Sequence, residues 1–140
     1  MVELARVRFV VDENTLAIGK VMADLRGDTA YVGAAPIAEL LPRRSADRQW
    51  IPIVAEHGWI VVTNDHRLRT RYLKATLAQR HGLRAVNMKS VGHRDAWSQL
   101  VRLTKHWQAV ERHIEDHPDG PWWLSLTDRG HRVLPYQPGA

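Results

Sequence analysis

Apolar and polar positions alternate along the chain with two different periods. Arg6-Val7-Arg8-Phe9-Val10-Val11 begins as an alternating strand, ends as a buried one and stops at Asp12-Glu13-Asn14. Ile18, Val21, Met22 and Leu25 then recur at i, i+3, i+4 and i+7, which predicts a helix with these four facing inward, ended by Gly27-Asp28. Thr29 to Val32 reads as a short second strand. Residues 33–44 carry two prolines and predict a loop, with a turn of helix around Ile37 to Leu41.

Ser45 to His57 predicts a helix with Trp50, Ile51, Val54 and Ala55 inward, closed by Gly58. Trp59-Ile60-Val61-Val62-Thr63 is an unbroken apolar run, the pattern of a parallel strand covered on both faces. From Arg67 to about His81 a third helix is expected to bury Tyr72, Leu73, Thr76 and Leu77, leaving Arg67, Arg71 and Lys74 on its other side. Ala85 to Met88 makes a further strand. The longest helix is expected over Asp95 to His117, with Leu100, Leu103, Trp107, Val110 and Ile114 as its stripe. Trp122 to Leu126 and His131 to Leu134 flank a turn-forming Thr127-Asp128-Arg129-Gly130 and predict a terminal β-hairpin. The alternation of strand and helix through residue 117 argues for an α/β sandwich with a mainly parallel sheet.

A chain of 140 residues is the size of one domain. The expectation is a single unit over 1–140, with an α/β core at 1–117 and a hairpin and tail at 118–140. The absence of cysteine excludes disulfides, thiolate metal sites and a cysteine nucleophile. No apolar run is long enough for a membrane span and no signal-like segment opens the chain, so a cytoplasmic protein without membrane contact is expected. The net charge of +5 has a location. Arg67, Arg69, Arg71, Lys74, Arg80 and Arg84 fall within residues 64–84 against Asp65 alone, and the remainder of the chain balances. A local basic field suits a polyanion such as nucleic acid, and the four residues nearest Asp65 (Arg67, Arg69, Arg71 and Lys74) are the candidates to hold its phosphates.

Ligands of open parallel sheets gather at the carboxyl ends of the strands. Asp12 and Asp65 each follow a buried strand, and Asp47 opens the helix leading into the second of them. If the two strands are neighbours, the three carboxylates converge, and an all-oxygen set suits Mg²⁺ or Mn²⁺. Such a site supports phosphodiester hydrolysis, with Asp12, Asp47 and Asp65 as catalytic metal ligands and Asn14, Thr63 and Asn64 in support. Each aspartate also has a purely structural reading, as a turn residue or helix cap. His113 and His117 form an i, i+4 pair without an obvious third ligand and read as a solvated helix face. Of Trp122 and Trp123, one ring should face the core and the other an interface or a loop, where it is a candidate to stack on a base.

Three segments carry a resemblance: Phe9-Val10-Val11-Asp12-Glu13-Asn14, Asp47-Arg48-Gln49-Trp50-Ile51 with Ala55, and Val61-Val62-Thr63-Asn64-Asp65. They are similar to the PIN domain, in particular to the short VapC-like proteins. The resemblance implies a three-layer α/β/α sandwich and a metal-dependent ribonuclease, the toxin of a toxin–antitoxin pair, with RNA, an antitoxin and a second copy of the chain as partners. PIN domains also carry a further acid between the first two aspartates. Glu13, Asp24, Asp28 and Glu39 fill that interval, and Glu13 or Glu39 is the candidate substitute. The alternatives are a catalytically inactive PIN-like module that binds RNA or protein, and a signalling receiver using Asp12, Glu13, Thr63 and Lys89, which lacks a phosphoacceptor aspartate on an intervening strand.

Overall fold

The computed structural model describes residues 3–88 and 95–140. Lys89, invoked for the receiver alternative, lies outside them. Six strands form one sheet: β1 (Phe9–Val11), β2 (Thr29–Tyr31), β3 (Ile60–Thr63), β4 (Arg84–Asn87), β5 (Trp122–Leu126) and β6 (His131–Leu134). Their order is β2-β1-β3-β4-β5-β6, parallel throughout except for β6, which returns antiparallel along β5. The helices are α1 (Leu16–Leu25), α2 (Asp47–Glu56), α3 (Arg67–Thr70), α4 (Tyr72–His81), α5 (Ala96–Lys105) and α6 (Trp107–Asp116).

Side chains alternate across a strand, so each central strand feeds two cores. Val10, Val61, Ala85 and Trp123 pack against Ile51 and Val54 of α2 and Ala75 and Ala78 of α4. Phe9, Val11, Val62, Val86, Trp122 and Leu124 pack on the opposite face against Ile18 and Met22 of α1, Leu103 of α5 and Val110 of α6. The result is the expected α/β/α arrangement. Gly19 lets α1 lie directly on the sheet, since a Cβ there would come within 2.7 Å of Tyr31 Cβ. At the other end of the sheet, the chain before β5 crosses the α4–β4 turn so closely that a Cβ on Gly120 would overlap the Gly82 carbonyl.

Several local expectations change. Strand pairing begins at Arg8 and Phe9, because residues 4–6 form a single 3₁₀ turn instead. Only Ile18, Gly19 and Met22 of α1 are buried. Val21 and Leu25 are exposed and, with Leu100, Leu103 and Trp107, line an apolar groove on the outer surface. The turn around Ile37 to Leu41 is present as one α-type hydrogen bond, with both of those side chains fully buried.

Each of the two long helices is broken. The first breaks at Arg71, whose backbone is extended (φ −63°, ψ 131°). The cause lies in the C-terminal tail: Gln137 N–H and Gly139 N–H donate to the Arg69 and Thr70 carbonyls at 2.9 Å each, taking acceptors that a continuous helix would use itself. The break rotates the buried face, so that Ala75, Leu77 and Ala78 point inward while Tyr72 and Leu73 are exposed. The second breaks at His106 (φ −103°, ψ 12°), where α6 turns to pack Trp107 at a tilt against Phe9 with ring centroids 4.9 Å apart.

Both indoles of the terminal hairpin are buried, one on each face of the sheet, so neither is available to stack on a base. His113 is half-buried and meets Trp122 edge-on at 4.5 Å rather than lying on a solvated face. Burial lowers its pKa, and the neighbouring His117 and His131 add to that shift.

Candidate active site

The strand order reverses between β1 and β3: the chain leaves β1 for β2 on one side and returns to β3 on the other. A crevice opens outside the carboxyl ends of two such strands, the position where open α/β sheets bind ligands. Here it is a cavity of about 220 Å³ lined by Asp12, Glu13, Asn14, Ser45, Asp47 and Trp50 on one side and Asp65, Arg67, Leu68 and Lys74 on the other.

Thr63 joins the two strand ends. Its buried hydroxyl donates to Asp12 Oδ2 at 2.9 Å and accepts from Asp65 N–H at 3.0 Å. The other Asp12 oxygen accepts the Glu13 N–H at 2.7 Å, so the turn-forming reading of Asp12 is realised alongside its place in the cavity. Asp47 does not cap its helix. Ala46 holds that position, and Asp47 Oδ1 instead accepts from the Trp50 indole at 3.0 Å. Asp65 divides its oxygens. Oδ1 accepts from the backbone N–H and Nε of Arg67, and Oδ2 accepts from Lys74 Nζ at 3.1 Å. Lys74 Nζ is also 4.0 Å from Asp47 Oδ1, so the ammonium sits between two of the three aspartates.

These contacts push the carboxyls apart in acidity. Burial raises Asp12 above the ordinary carboxylate value, and the nearby Asp65 charge adds to this against the bonds from Thr63 and Glu13. Burial acts in the same direction on Asp65, but the hydrogen bonds from Arg67 and Lys74 outweigh it and the net shift is downward. A folded-state value above the unfolded one means that the folded protein favours the protonated acid. The charged Asp12 therefore weakens the metal-free fold progressively as pH rises from the unfolded value through the folded one. Asp12→Asn is accordingly expected to raise the Tm measured in EDTA at pH 7 by a few degrees, about 1 kcal/mol, and to leave it unchanged well below pH 4. An unaltered or lower Tm at pH 7 would show that the buried charge carries no penalty.

The other sequence candidates are distributed unevenly. Glu13 lines the cavity, but its carboxylate accepts the Arg44 N–H through both oxygens, at 2.9 and 3.0 Å, and pairs with Arg43 at 3.5 Å. Glu39 is exposed and outside the cavity lining. Asn14 is in the lining, whereas Asn64 turns away to donate to Gln99 of α5 at 3.2 Å. Arg67 is in the cavity lining, whereas Arg71 is exposed and outside it. Arg69 is occupied elsewhere, holding the tail through the Pro135 carbonyl at 2.9 Å and Gln137 Oε1 at 3.2 Å. That contact separates it from the proposed phosphate-binding set. Asp28, one of the acids in the interval, pairs with Arg8 and Arg26 just before β2, away from the carboxyl edge.

Lys74 as a partner of two aspartates and Trp50 as a wall of the cavity were not evident from the sequence. Helical periodicity placed Lys74 on an outward stripe and Trp50 in the core. The i, i+3 spacing of Asp47 and Trp50 was the one available signal, because it puts the indole over the carboxylate.

Among the described residues, no three carboxylate or imidazole groups form a ready metal cage. The donor chemistry nevertheless fits a hard divalent cation. The cavity presents carboxylate oxygens and no sulfur or imidazole, and the place where Asp47 and Asp65 converge is already held by a cation, the Lys74 ammonium.

The sequence matches the PIN-like domain family over residues 7–90, more than half of the chain, and the chain belongs to that family. The matched region runs from just before β1 to just beyond β4 and contains Asp12, Asp47, Asp65 and Lys74. No curated protein and no solved structure matches the chain. The fold is thus of the nuclease type, and no helix among the described residues is long and apolar enough to cross a membrane.

Proposed function

We propose that this protein is a metal-dependent ribonuclease hydrolysing RNA phosphodiester bonds at the β1/β3 crevice. The observation that carries this reading is the opening of Asp12, Asp47 and Asp65 onto one cavity beside a basic rim. Asp12 and Asp65, set by the shared Thr63 hydroxyl, and Asp47, set by the Trp50 indole, are the residues that would hold Mg²⁺ or Mn²⁺. When bound, the ion supplies Lewis-acid stabilisation of the phosphodiester and activation of water at neutral pH.

The remaining work falls to the chain itself. Arg67 lines the acidic pocket, and with exposed Arg71, four residues on, it would position an RNA backbone, since guanidinium binds phosphate in a bidentate manner. Arg71→Ala leaves every contact of Asp65 in place. It is expected to weaken single-stranded RNA binding and to flatten the dependence of log K on log salt by about 0.7, the value of one phosphate contact. An identical slope in the variant would remove Arg71 from the interface.

The direct test is incubation of the purified protein, free of any partner, with a panel of single-stranded RNAs in Mn²⁺ and in EDTA. Cleavage only with metal supports the reading, and intact RNA throughout replaces it with a binding module. The role as a toxin in the cytoplasm, restrained by an antitoxin, is proposed from the family resemblance. It predicts growth arrest on expression, relieved by co-expressing the product of an adjacent short reading frame.

A further inference from the structure

Lys74 is placed differently from every other basic residue near the cavity. Arg67 approaches Asp65 from the exposed rim through Oδ1, and its own side chain is 55% exposed. Lys74 reaches the inner oxygen, Oδ2, with its side chain only 23% exposed and its nitrogen directed between Asp65 and Asp47. A divalent ion bound by Asp65 Oδ2 would need to lie about 2.0–2.1 Å from that atom. It would then share the oxygen with an ammonium 3.1 Å away. Two cations at such close range repel strongly in a partly buried site. Lysine also suits a group that must leave. It is a point charge on a flexible four-carbon stem, without the planar fork that fixes an arginine to its carboxylate.

We propose that Lys74 is an internal competitor for the metal: it neutralises Asp65 and Asp47 in the metal-free protein and is displaced onto a substrate phosphate when ion and RNA bind together. The inference rests on the metal-dependent reading of this site. It means that the ion binds weakly by itself and more tightly once a polyanion gives the ammonium another partner. Because such coupling is reciprocal, the ion strengthens RNA binding by the same factor.

The test is calorimetric titration of the full chain with Mn²⁺, with and without an uncleavable 2′-O-methyl oligonucleotide. Lys74→Met and Lys74→Gln are compared with the unaltered protein, and Asp65→Asn serves as the control for the site. Both Lys74 variants are expected to bind Mn²⁺ at least roughly tenfold more tightly than the unaltered protein. The oligonucleotide is expected to tighten Mn²⁺ binding in the unaltered protein and to do so much less in the variants. In EDTA the variants should melt lower, since two acids lose their counter-charge, and should gain more from added Mn²⁺.

A further readout needs no mutation. Acylation of Lys74 by an amine-reactive ester, followed by mass spectrometry, should increase when saturating Mn²⁺, without RNA to cover the amine, displaces it from the aspartates. Equal or weaker Mn²⁺ binding by folded Lys74 variants, or unchanged acylation, would overturn the competitor role. The metal site itself would stand if Asp65→Asn still abolishes the Mn²⁺ signal. Absence of Mn²⁺ binding to the unaltered protein and to both Lys74 variants would overturn the metal reading and this inference together.

Discussion

Asp65→Asn is expected to reduce metal-dependent RNA cleavage by at least about 10²-fold while leaving the protein folded. Loss of a group that merely orients a metal ligand costs about 10–100-fold, so loss of a ligand charge should cost no less. Asparagine keeps the shape and one acceptor oxygen, so the Arg67 N–H retains a partner. What disappears is the charge that the Arg67 and Lys74 side chains approach.

The variant also has a signature in pH. The Asp65 carboxyl lies below its ordinary value in the folded protein, so its stabilising contribution is present above the unfolded value and is lost as pH falls through the folded one. The partly exposed pairs make that contribution small, about 1 kcal/mol. Thermal melts of the two proteins should therefore differ at pH 7 and converge in acid. Cleavage by Asp65→Asn at more than a tenth of the parent rate would show that Asp65 holds no essential metal.

Trp123→Ala is expected to cost about 3–5 kcal/mol, much of the roughly 5–15 kcal/mol that holds an ordinary domain together. The Trp123 ring is 1% exposed, pairs edge-on with Tyr136 at 6.1 Å, and shares a core with Val61, Ala85 and the α2 and α4 side chains. The Tyr136 hydroxyl in turn donates to the Leu83 carbonyl at 3.0 Å, tying the tail to the α4–β4 turn. Urea denaturation followed separately by tryptophan fluorescence and far-UV circular dichroism should give coincident transitions, both shifted strongly downward in the variant. Two separated transitions, or a shift below 1 kcal/mol, would mean that the hairpin is an appendage rather than part of the core.

The two buried strands and the helix Asp47–Glu56 were legible in the sequence because a side-chain period is a local property of the chain. The three aspartates were legible for the same reason, each being tied to the end or start of an element whose pattern is strong. What the sequence left conditional was adjacency. Whether Asp12 and Asp65 meet depends on β1 pairing with β3, and that pairing is made between residues 51 positions apart. The Thr63 hydroxyl bond to Asp12 spans the same separation.

The departures around Arg71 share one cause. An unbroken helix through Arg71 was the better local prediction, and it failed because tail residues more than 65 positions away bond the carbonyls of Arg69 and Thr70. The same tail also holds the Arg69 side chain away from the basic face, and past the break Tyr72 and Leu73 are exposed while Lys74 reaches Asp65. Periodicity distinguishes the faces of one element but carries no information about which distant group will claim its backbone acceptors. The sequence thus determined which acids stand at the carboxyl edge of the sheet. Tertiary packing decided which cation lies among them, because the helix that carries Lys74 starts afresh where the folded tail takes the carbonyls of Arg69 and Thr70.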